Sequence, residues 1–230
     1  MTKRPTRRPP PEPPRRPFIV GIAGGTASGK STFARLVAEQ LGSETVSIID
    51  ADAYYHPLDH LPIEARHSVN FDHPDAMDIQ LLRTHVQQLK CDQPVEKPVY
   101  DFSQFTRLPR TQPIKPLPIV IVEGMLIFAV ESLYKLFDLR IFIDEDADIR
   151  LVRRMLRDTR ERGRTVELLA DQYLNHVRPM HDAYVAPSRD IANIVVKHTF
   201  NVADTVRKIQ MLAMNLPFTQ LDLGFEDTTP

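Results

Sequence analysis

Residues 18–31 read Phe18-Ile19-Val20-Gly21-Ile22-Ala23-Gly24-Gly25-Thr26-Ala27-Ser28-Gly29-Lys30-Ser31, an apolar run that breaks into a glycine-rich turn and ends on lysine and serine. Gly24–Ser31 fits GxxxxGK[ST], and its setting is the one this motif requires. Phe18–Ala23 has the character of a strand and Ser31–Leu41 that of a helix. Glycines let backbone N–H groups converge on phosphate oxygens, and the helix N-terminus adds a favourable dipole. Lys30 then supplies a cation to the β- and γ-phosphates, and the Ser31 hydroxyl is a ligand for Mg²⁺. The motif predicts a nucleotide site, but does not by itself select a reaction.

Working outward, short apolar runs alternate with longer amphipathic ones. Val46–Ile49, Ile119–Val122, Leu139–Ile143 and Ile191–Val196 read as further strands. Helical spacing marks Ile79–Leu89, with Ile79, Leu82, Val86 and Leu89 on one face, and also Val166–Met180 and Val202–Leu216. Continuous apolar strands interleaved with helices predict an α/β fold, a P-loop-type parallel sheet covered on both faces. Residues 94–118, rich in proline and partly β-branched, read as a hairpin excursion. In an open parallel sheet ligands gather beyond the carboxyl ends of the strands. Two of those ends carry acids: Val46–Ile49 runs into Asp50-Ala51-Asp52, and Ile119–Val122 into Glu123-Gly124. Near a γ-phosphate, one acid serves to accept a proton from an attacking hydroxyl and another to hold Mg²⁺. Asp50 and Asp52 compete for the first role. Gly124 favours a site at Glu123, because a small residue permits close backbone approach.

Asp146–Arg162 reads as a charged helix with Ile149, Val152 and Leu156 facing inward. Arg150, Arg153, Arg154, Arg157, Arg160, Arg162 and Arg164 crowd this stretch, and Arg150, Arg154 and Arg157 share a helical face. Phosphoryl transfer needs cations around the migrating charge, and a mobile arginine lid supplies them while excluding water. The bland alternative is a solvated face paired with Glu145, Asp146, Asp158 and Glu161. After a phosphate loop and two strand-end acids, the lid is the better reading. The interspersed acids argue against a nucleic-acid surface.

The formal net charge of −1 gives no global attraction to nucleic acid or membrane. It hides an asymmetry: residues 1–17 carry Lys3, Arg4, Arg7, Arg8, Arg15 and Arg16 against Glu12, a local +5. This Arg/Pro-rich segment is expected to be a disordered or polyproline-like tail before a kinase-like domain over 18–216, and 217–230 a loose C-terminal tail. No apolar run approaches the roughly 18 residues of a membrane span. A single cysteine, Cys91, excludes an internal disulfide and fits a reducing, cytoplasmic setting.

These residues resemble the uridine–cytidine kinase family over roughly 18–196. Gly24–Thr32 matches its phosphate loop, which adds Thr32 to the nucleotide contacts. Asp52-Ala53-Tyr54-Tyr55 resembles its Asp-x-[Phe/Tyr]-Tyr segment, where the aspartate is the catalytic base; this favours Asp52 over Asp50. Asn70-Phe71-Asp72-His73-Pro74 matches a segment whose aspartate binds ribose hydroxyls. Pro98-Val99-Tyr100-Asp101-Phe102 resembles the base-recognition hairpin, and Glu123-Gly124 the metal-associated acid. Arg153–Asp158 and Glu161–Arg164, followed by Gln172-Tyr173, resemble the lid. The resemblance implies ATP and Mg²⁺ as cofactors, with Ser31, Asp52 and Glu123 at the metal. Lys30, Arg157 and Arg162 fall on the phosphate side. Tyr55, Phe71, Asp72, Tyr100, Phe102, Phe105, Arg154, Arg164 and Gln172 fall on the nucleoside side. It also implies a pyrimidine ribonucleoside as acceptor, pyrimidine salvage and a homotetramer; that no membrane or nucleic-acid partner is expected follows instead from the charge balance and the apolar runs.

The sequence departs from the family pattern in places. Counting from Tyr100, the family's histidine, which reads the pyrimidine 4-position, is replaced by Phe105. Phenylalanine stacks but forms no hydrogen bond, so an altered base preference is expected, with cytidine favoured over uridine or a different nucleoside used. The family's Pro-Arg-Gly stretch after the fifth strand is replaced by Lys197-His198-Thr199-Phe200-Asn201, which leaves ATP against GTP open. Two alternatives stand beside the nucleoside kinase: a related kinase with a phosphoribulokinase- or pantothenate-kinase-like acceptor, and a non-catalytic nucleotide-binding regulator. The Asn70–Pro74 and Tyr100–Phe102 segments argue against the first, and intact Lys30, Ser31, Asp52 and Glu123 against the second.

Overall fold

The structure, a computed structural model, describes residues 16–66, 68–197 and 202–214. Expectations for residues 1–15, for 198–201 and for the C-terminal tail lie outside the described residues. Pro17 is buried, and Arg16 forms a two-pronged ion pair with Asp138, which also accepts from the Ile19 N–H and from Lys90.

Strand β1 (Phe18–Gly24) leads into α1 (Lys30–Leu41) and β2 (Val46–Asp50). A tight turn, Ala51–Tyr54, precedes the one-turn helix α2 (Ile63–Arg66), and α3 (Ile79–Lys90) follows. The hairpin is β3 (Val95–Asp101) with β4 (Thr106–Ile114). Then come β5 (Ile119–Glu123), α4 (Glu131–Tyr134), β6 (Leu139–Ile143), α5 (Ala147–Glu161) and α6 (Val166–Gln172). The chain stays helical through α7 (Arg178–Met180), with a wide turn on either side. It ends with β7 (Ile194–Val196) and α8 (Val202–Ala213). The main sheet is parallel, in the order β2-β5-β1-β6-β7.

Strand alternation sends side chains to two layers. Ile19, Ala23, Val120, Val122 and Ile49 face α3 through Leu82, Val86 and Leu89. Val20, Ile22, Ile119, Ile121 and Ile141 face α1 and α8 through Phe33, Val37, Val206 and Ile209. Register then determines what meets at the rim. Asp50 on β2 pairs with Glu123 on β5, which pairs with Ile22 on β1, two residues before the phosphate loop.

Three expectations need correction. Ile149, Val152 and Leu156 do not face inward: they are 37%, 55% and 48% exposed, whereas Arg150, Arg154 and Asp158 are 5%, 8% and 0% exposed. Helix α5 packs over the phosphate loop and a polar cleft, not over the apolar sheet, so its charged face is the one that needs protein partners. The last strand begins at Ile194, because Pro187–Ile191 is taken up by a tight helical turn. Helical structure expected to stop at Met180 runs on to Val185, within the two wide turns Tyr173–Val177 and His181–Val185. Among the described residues, no helix is long and apolar enough to cross a membrane.

Candidate active site

The phosphate loop is shaped by space at Gly24 and Gly25, where a Cβ would stand 2.7 Å from the Ile143 carbonyl oxygen and 2.6 Å from Arg150 Nη1, and by backbone dihedrals at Gly29. Gly29 sits at φ +93° as the N-cap of α1, and a Cβ there would meet nothing within 4 Å. The left-handed conformation is therefore what calls for glycine. Ala27 also has positive φ, at +56°, and the loop closes through Ser28 N–H to the Gly25 carbonyl at 3.1 Å. Ser28 and Lys30 are buried, and the Ser28 hydroxyl has no hydrogen-bond partner among the described residues. A buried orphan hydroxyl in such a loop suits a phosphate oxygen.

The two competing aspartates are separated by their partners. Asp50 accepts from the Ala53 N–H at 3.0 Å, capping the turn, and its other oxygen pairs with Lys97. Asp52 makes no hydrogen bond or ion pair among the described residues, and its side chain lines the cleft beside Lys30. Gly124 brings this turn close to β5: a Cβ there would stand 2.6 Å from the Ala51 Cβ. Glu123 is buried, and its pKa is raised to about 7. Burial drives that rise; Lys30 opposes it, Asp52 adds to it, and a hydrogen bond from Ser31 opposes it. One Glu123 oxygen has no hydrogen-bond partner among the described residues. Among the described residues no three or more His, Cys, Asp or Glu side chains gather as a metal cage. A hydroxyl, one or two carboxylates and substrate phosphates are the usual setting for Mg²⁺, so Ser31, Glu123 and Asp52 fit that ion.

A cleft of about 810 Å³, its open mouth included, runs from Thr26, Lys30 and Asp52 to an aromatic wall. Its lining contains every residue expected on the nucleoside side: Tyr55, Phe71, Asp72, Tyr100, Phe102, Phe105, Arg154, Arg164 and Gln172, together with Arg157 and Arg162. Tyr55 meets Phe71 edge-on at 5.2 Å and Tyr100 at 5.8 Å, and Phe105 stacks on Phe71 at 5.5 Å. Phe105 sits at φ +52° and is buried. It is swung inward by a turn in which one Asp101 oxygen accepts from the Ser103 N–H, the Ser103 hydroxyl and the Gln104 N–H. The Tyr100 hydroxyl is buried without a hydrogen-bond partner among the described residues. Asp72 is buried as well, and burial raises its pKa against the pull of Arg154.

Asp158, which sequence reasoning treated as a surface partner, is fully buried and gathers the arginines. Arg157 donates to it at 2.7 Å, and Arg164, Arg162 and Arg154 stand 3.4, 3.7 and 3.9 Å away. Burial alone would raise its pKa, but the Arg157 hydrogen bond and the neighbouring guanidinium charges outweigh that, and it falls. Arg154 donates to the Thr26 hydroxyl at 3.1 Å, and so joins helix α5 to the phosphate loop. Arg162 lies 5.1 Å over the Phe102 ring. Two further residues escaped the sequence reading. Arg107 on β4 donates to the Tyr54 and Tyr55 carbonyls and to Asp78, fastening the hairpin to the Asp52 turn. His176 lines the cleft. Neither lies in a motif, though their polar character on otherwise structural elements was visible.

A family model described as phosphoribulokinase / uridine kinase family matches residues 19–205. The chain belongs to this family. Uridine kinase of Chloroflexus aurantiacus is 45% identical over 179 residues, which covers 78% of this chain and 86% of that protein. Uridine kinase of Clostridium perfringens is 44% identical over 182 residues, 79% and 88% of the two chains. Among solved structures, phosphoribulokinase from Rhodobacter spheroides has a TM-score of 0.60 at 15% identity, over 80% of this chain and 70% of that one. D-glycerate 3-kinase from Cryptococcus neoformans gives 0.58 at 14%, over 84% and 89%. At such identities the structural likeness speaks for the fold alone: a P-loop kinase sheet flanked by helices. Family membership and the curated relatives make this chain an ATP-dependent kinase.

Proposed function

We propose that this kinase transfers the γ-phosphoryl group of ATP to the 5′-hydroxyl of a pyrimidine ribonucleoside, uridine or cytidine, as a step of pyrimidine salvage. The supporting observation is one cleft whose lining brings together Lys30, Asp52, Asp72 and the aromatic rings of Tyr55, Phe71, Tyr100 and Phe105. The nearby relatives named uridine kinase agree with it.

In this reading Asp52, unpaired, accepts the proton of the attacking hydroxyl as its oxygen bonds to the γ-phosphorus and the bond to the ADP oxygen breaks. Lys30, Arg157 and Arg162 offset the charge on the transferring oxygens, and the Ser28 hydroxyl takes a phosphate contact. Ser31 with Glu123 and Asp52 would hold Mg²⁺, which supplies charge neutralisation on the β- and γ-phosphates when bound. Asp72 accepts from the sugar hydroxyls, and Phe71 and the hairpin aromatics enclose the base. Most of the rate comes from positioning and electrostatics.

Phe105 places a ring where a hydrogen-bonding side chain would read the base. We assign to it a preference for cytidine over uridine. The test is an acceptor screen of ribo- and deoxyribonucleosides and sugar phosphates, with ATP and GTP as donors and ADP or GDP release as readout. Turnover on cytidine or uridine is expected. Turnover confined to a sugar phosphate, or nucleotide binding without any acceptor-dependent release, would refute the reading. A cytoplasmic homotetramer is part of the same proposal, and light scattering checks the assembly.

A further inference from the structure

The cleft holds more hydrogen-bonding capacity than those contacts use. Among the described residues Tyr100 Oη and Arg154 Nε are buried without hydrogen-bond partners, Arg154 Nε standing 3.9 Å from Asp158, and the Asp72 carboxylate accepts no hydrogen bond. Asp72 and the Tyr100 ring have roles in the reading above. His176 has none. It lines the same cleft, it is half-buried, and neither ring nitrogen is hydrogen-bonded among the described residues. It is also an electrostatic neighbour of Asp72: its positive form favours the ionised carboxylate.

The local backbone explains why His176 faces the cleft. Gln172 and His176 lie four residues apart, one helical turn, and both line the cavity. Directly after Gln172 the helix widens, with the Arg178 N–H reaching the Tyr173 carbonyl five residues back. Such turns are rare and recur at functional sites. The far end of this wall is tied to the loop that carries Asp72. Tyr184 Oη and His73 Nε2 are 2.9 Å apart. His73 Nδ1 accepts from the Asp75 N–H at 3.1 Å, which leaves Nε2 as the protonated nitrogen and the tyrosine oxygen as acceptor. His73 is the residue after Asp72, so the wall bearing His176 is referenced to Asp72 through a single peptide unit.

An ionised carboxylate only accepts, whereas a neutral imidazole donates at one nitrogen and accepts at the other. Side by side they satisfy two neighbouring hydroxyls more fully than the carboxylate alone: protons pass toward Asp72 and the imidazole N–H toward a hydroxyl oxygen. We propose that His176 is a further substrate-contacting residue that hydrogen-bonds a secondary hydroxyl of the acceptor's sugar beside Asp72, sharpening selection of ribose over deoxyribose. This rests on the acceptor being a nucleoside. A histidine that only filled space would affect all acceptors alike.

His176→Phe keeps a ring and removes both nitrogens; His176→Gln keeps a donor and an acceptor. The experiment measures kcat/KM for cytidine, 2′-deoxycytidine and 3′-deoxycytidine in the wild type and both variants, with the KM for ATP as a reference. His176→Phe should lower kcat/KM for cytidine about tenfold, mainly through KM, the scale of one lost hydrogen bond. It should leave at least one deoxy analogue within about twofold, since a hydroxyl that is absent cannot be missed. The KM for ATP should hold, and His176→Gln should recover part of the loss. Equal losses on all three acceptors, or no loss on cytidine, overturn the proposal. A wild type inactive on every nucleoside overturns the acceptor reading itself, and this inference with it.

Discussion

The phosphate loop is contiguous, Gly24–Ser31, whereas the acceptor cleft is gathered from Tyr55, Phe71–Asp72, Tyr100–Phe105, Arg154–Arg164 and Gln172–His176. The difference follows from what each end must hold. A phosphate presents the same oxygens in every nucleotide, and backbone N–H groups with a helix terminus suffice for it. An acceptor must be told from its analogues, which takes side chains converging from several directions. The loop is thus held by local dihedrals such as Gly29 at φ +93°, and the cleft by long-range ties such as Arg154 to Thr26, Arg107 to the Tyr54 and Tyr55 carbonyls, and His73 to Tyr184. Each end can be disturbed separately.

The sharpest break is at the junction of the two. Asp52→Asn should lower kcat by about 10²- to 10⁴-fold, the worth of a positioned general base, while ATP affinity measured by calorimetry stays close to wild type. Turnover near the wild-type level would remove Asp52 from that role.

The next largest effect tests the phosphate end by pH. Glu123 has a folded pKa of about 7, above its ordinary value of 4.5, so the folded protein binds the extra proton between those values. Metal-free protein should therefore lose stability as pH rises from about 4.5 to 7, by up to about 3 kcal/mol, and Glu123→Gln should flatten that slope in thermal melts. The same titration makes activity at limiting Mg²⁺ fall as pH drops below about 7, since proton and metal compete for one carboxylate. A melt profile in the variant that still falls over this range would place the slope elsewhere.

At the acceptor end, Asp158→Asn should destabilise the protein by about 2–3 kcal/mol, less than a fully buried pair because Arg157 and Arg162 keep contact with water. KM should rise for both substrates, because Arg154 and Arg164 lose a common anchor. A loss confined to one substrate would mean that the arginines do not act as a unit. Smaller again, Phe105→His should shift the ratio of kcat/KM for uridine over cytidine upward by about tenfold, with the ATP KM unchanged. An unmoved ratio would take base choice away from this position. The smallest effect belongs to the outer face of α5: Val152→Ser should change stability by less than about 0.5 kcal/mol, whereas an inward-facing valine would cost several times that.

Much of this was legible because some chemistry is local. The strand–glycine–lysine–serine stretch announced the phosphate loop, and the strand-end acids announced the rim. The nine residues that the family resemblance implies around an acceptor line one cleft; read without that resemblance, Asp72 is only a turn aspartate before His73-Pro74. Asp50 and Asp52 could not be separated by strand position alone; Lys97, remote in sequence, is what occupies Asp50. Helix α5 was read with the wrong face inward. Hydrophobic periodicity assumes an apolar partner, and this helix rests on a phosphate loop and on Asp158. His176 carried no motif, and only the cleft it lines, one helical turn past Gln172, brings it into view.

By itself the sequence determined the nucleotide loop, the parallel sheet and the carboxylates at its rim, because each depends on residues close in the chain and on strand periodicity. Only the tertiary structure decided which aspartate is free, which face of α5 turns inward, and that Asp72, Tyr100, Arg154 and His176 share one wall. Those outcomes depend on distant segments competing for the same hydrogen bonds and the same burial, and no local pattern records who wins.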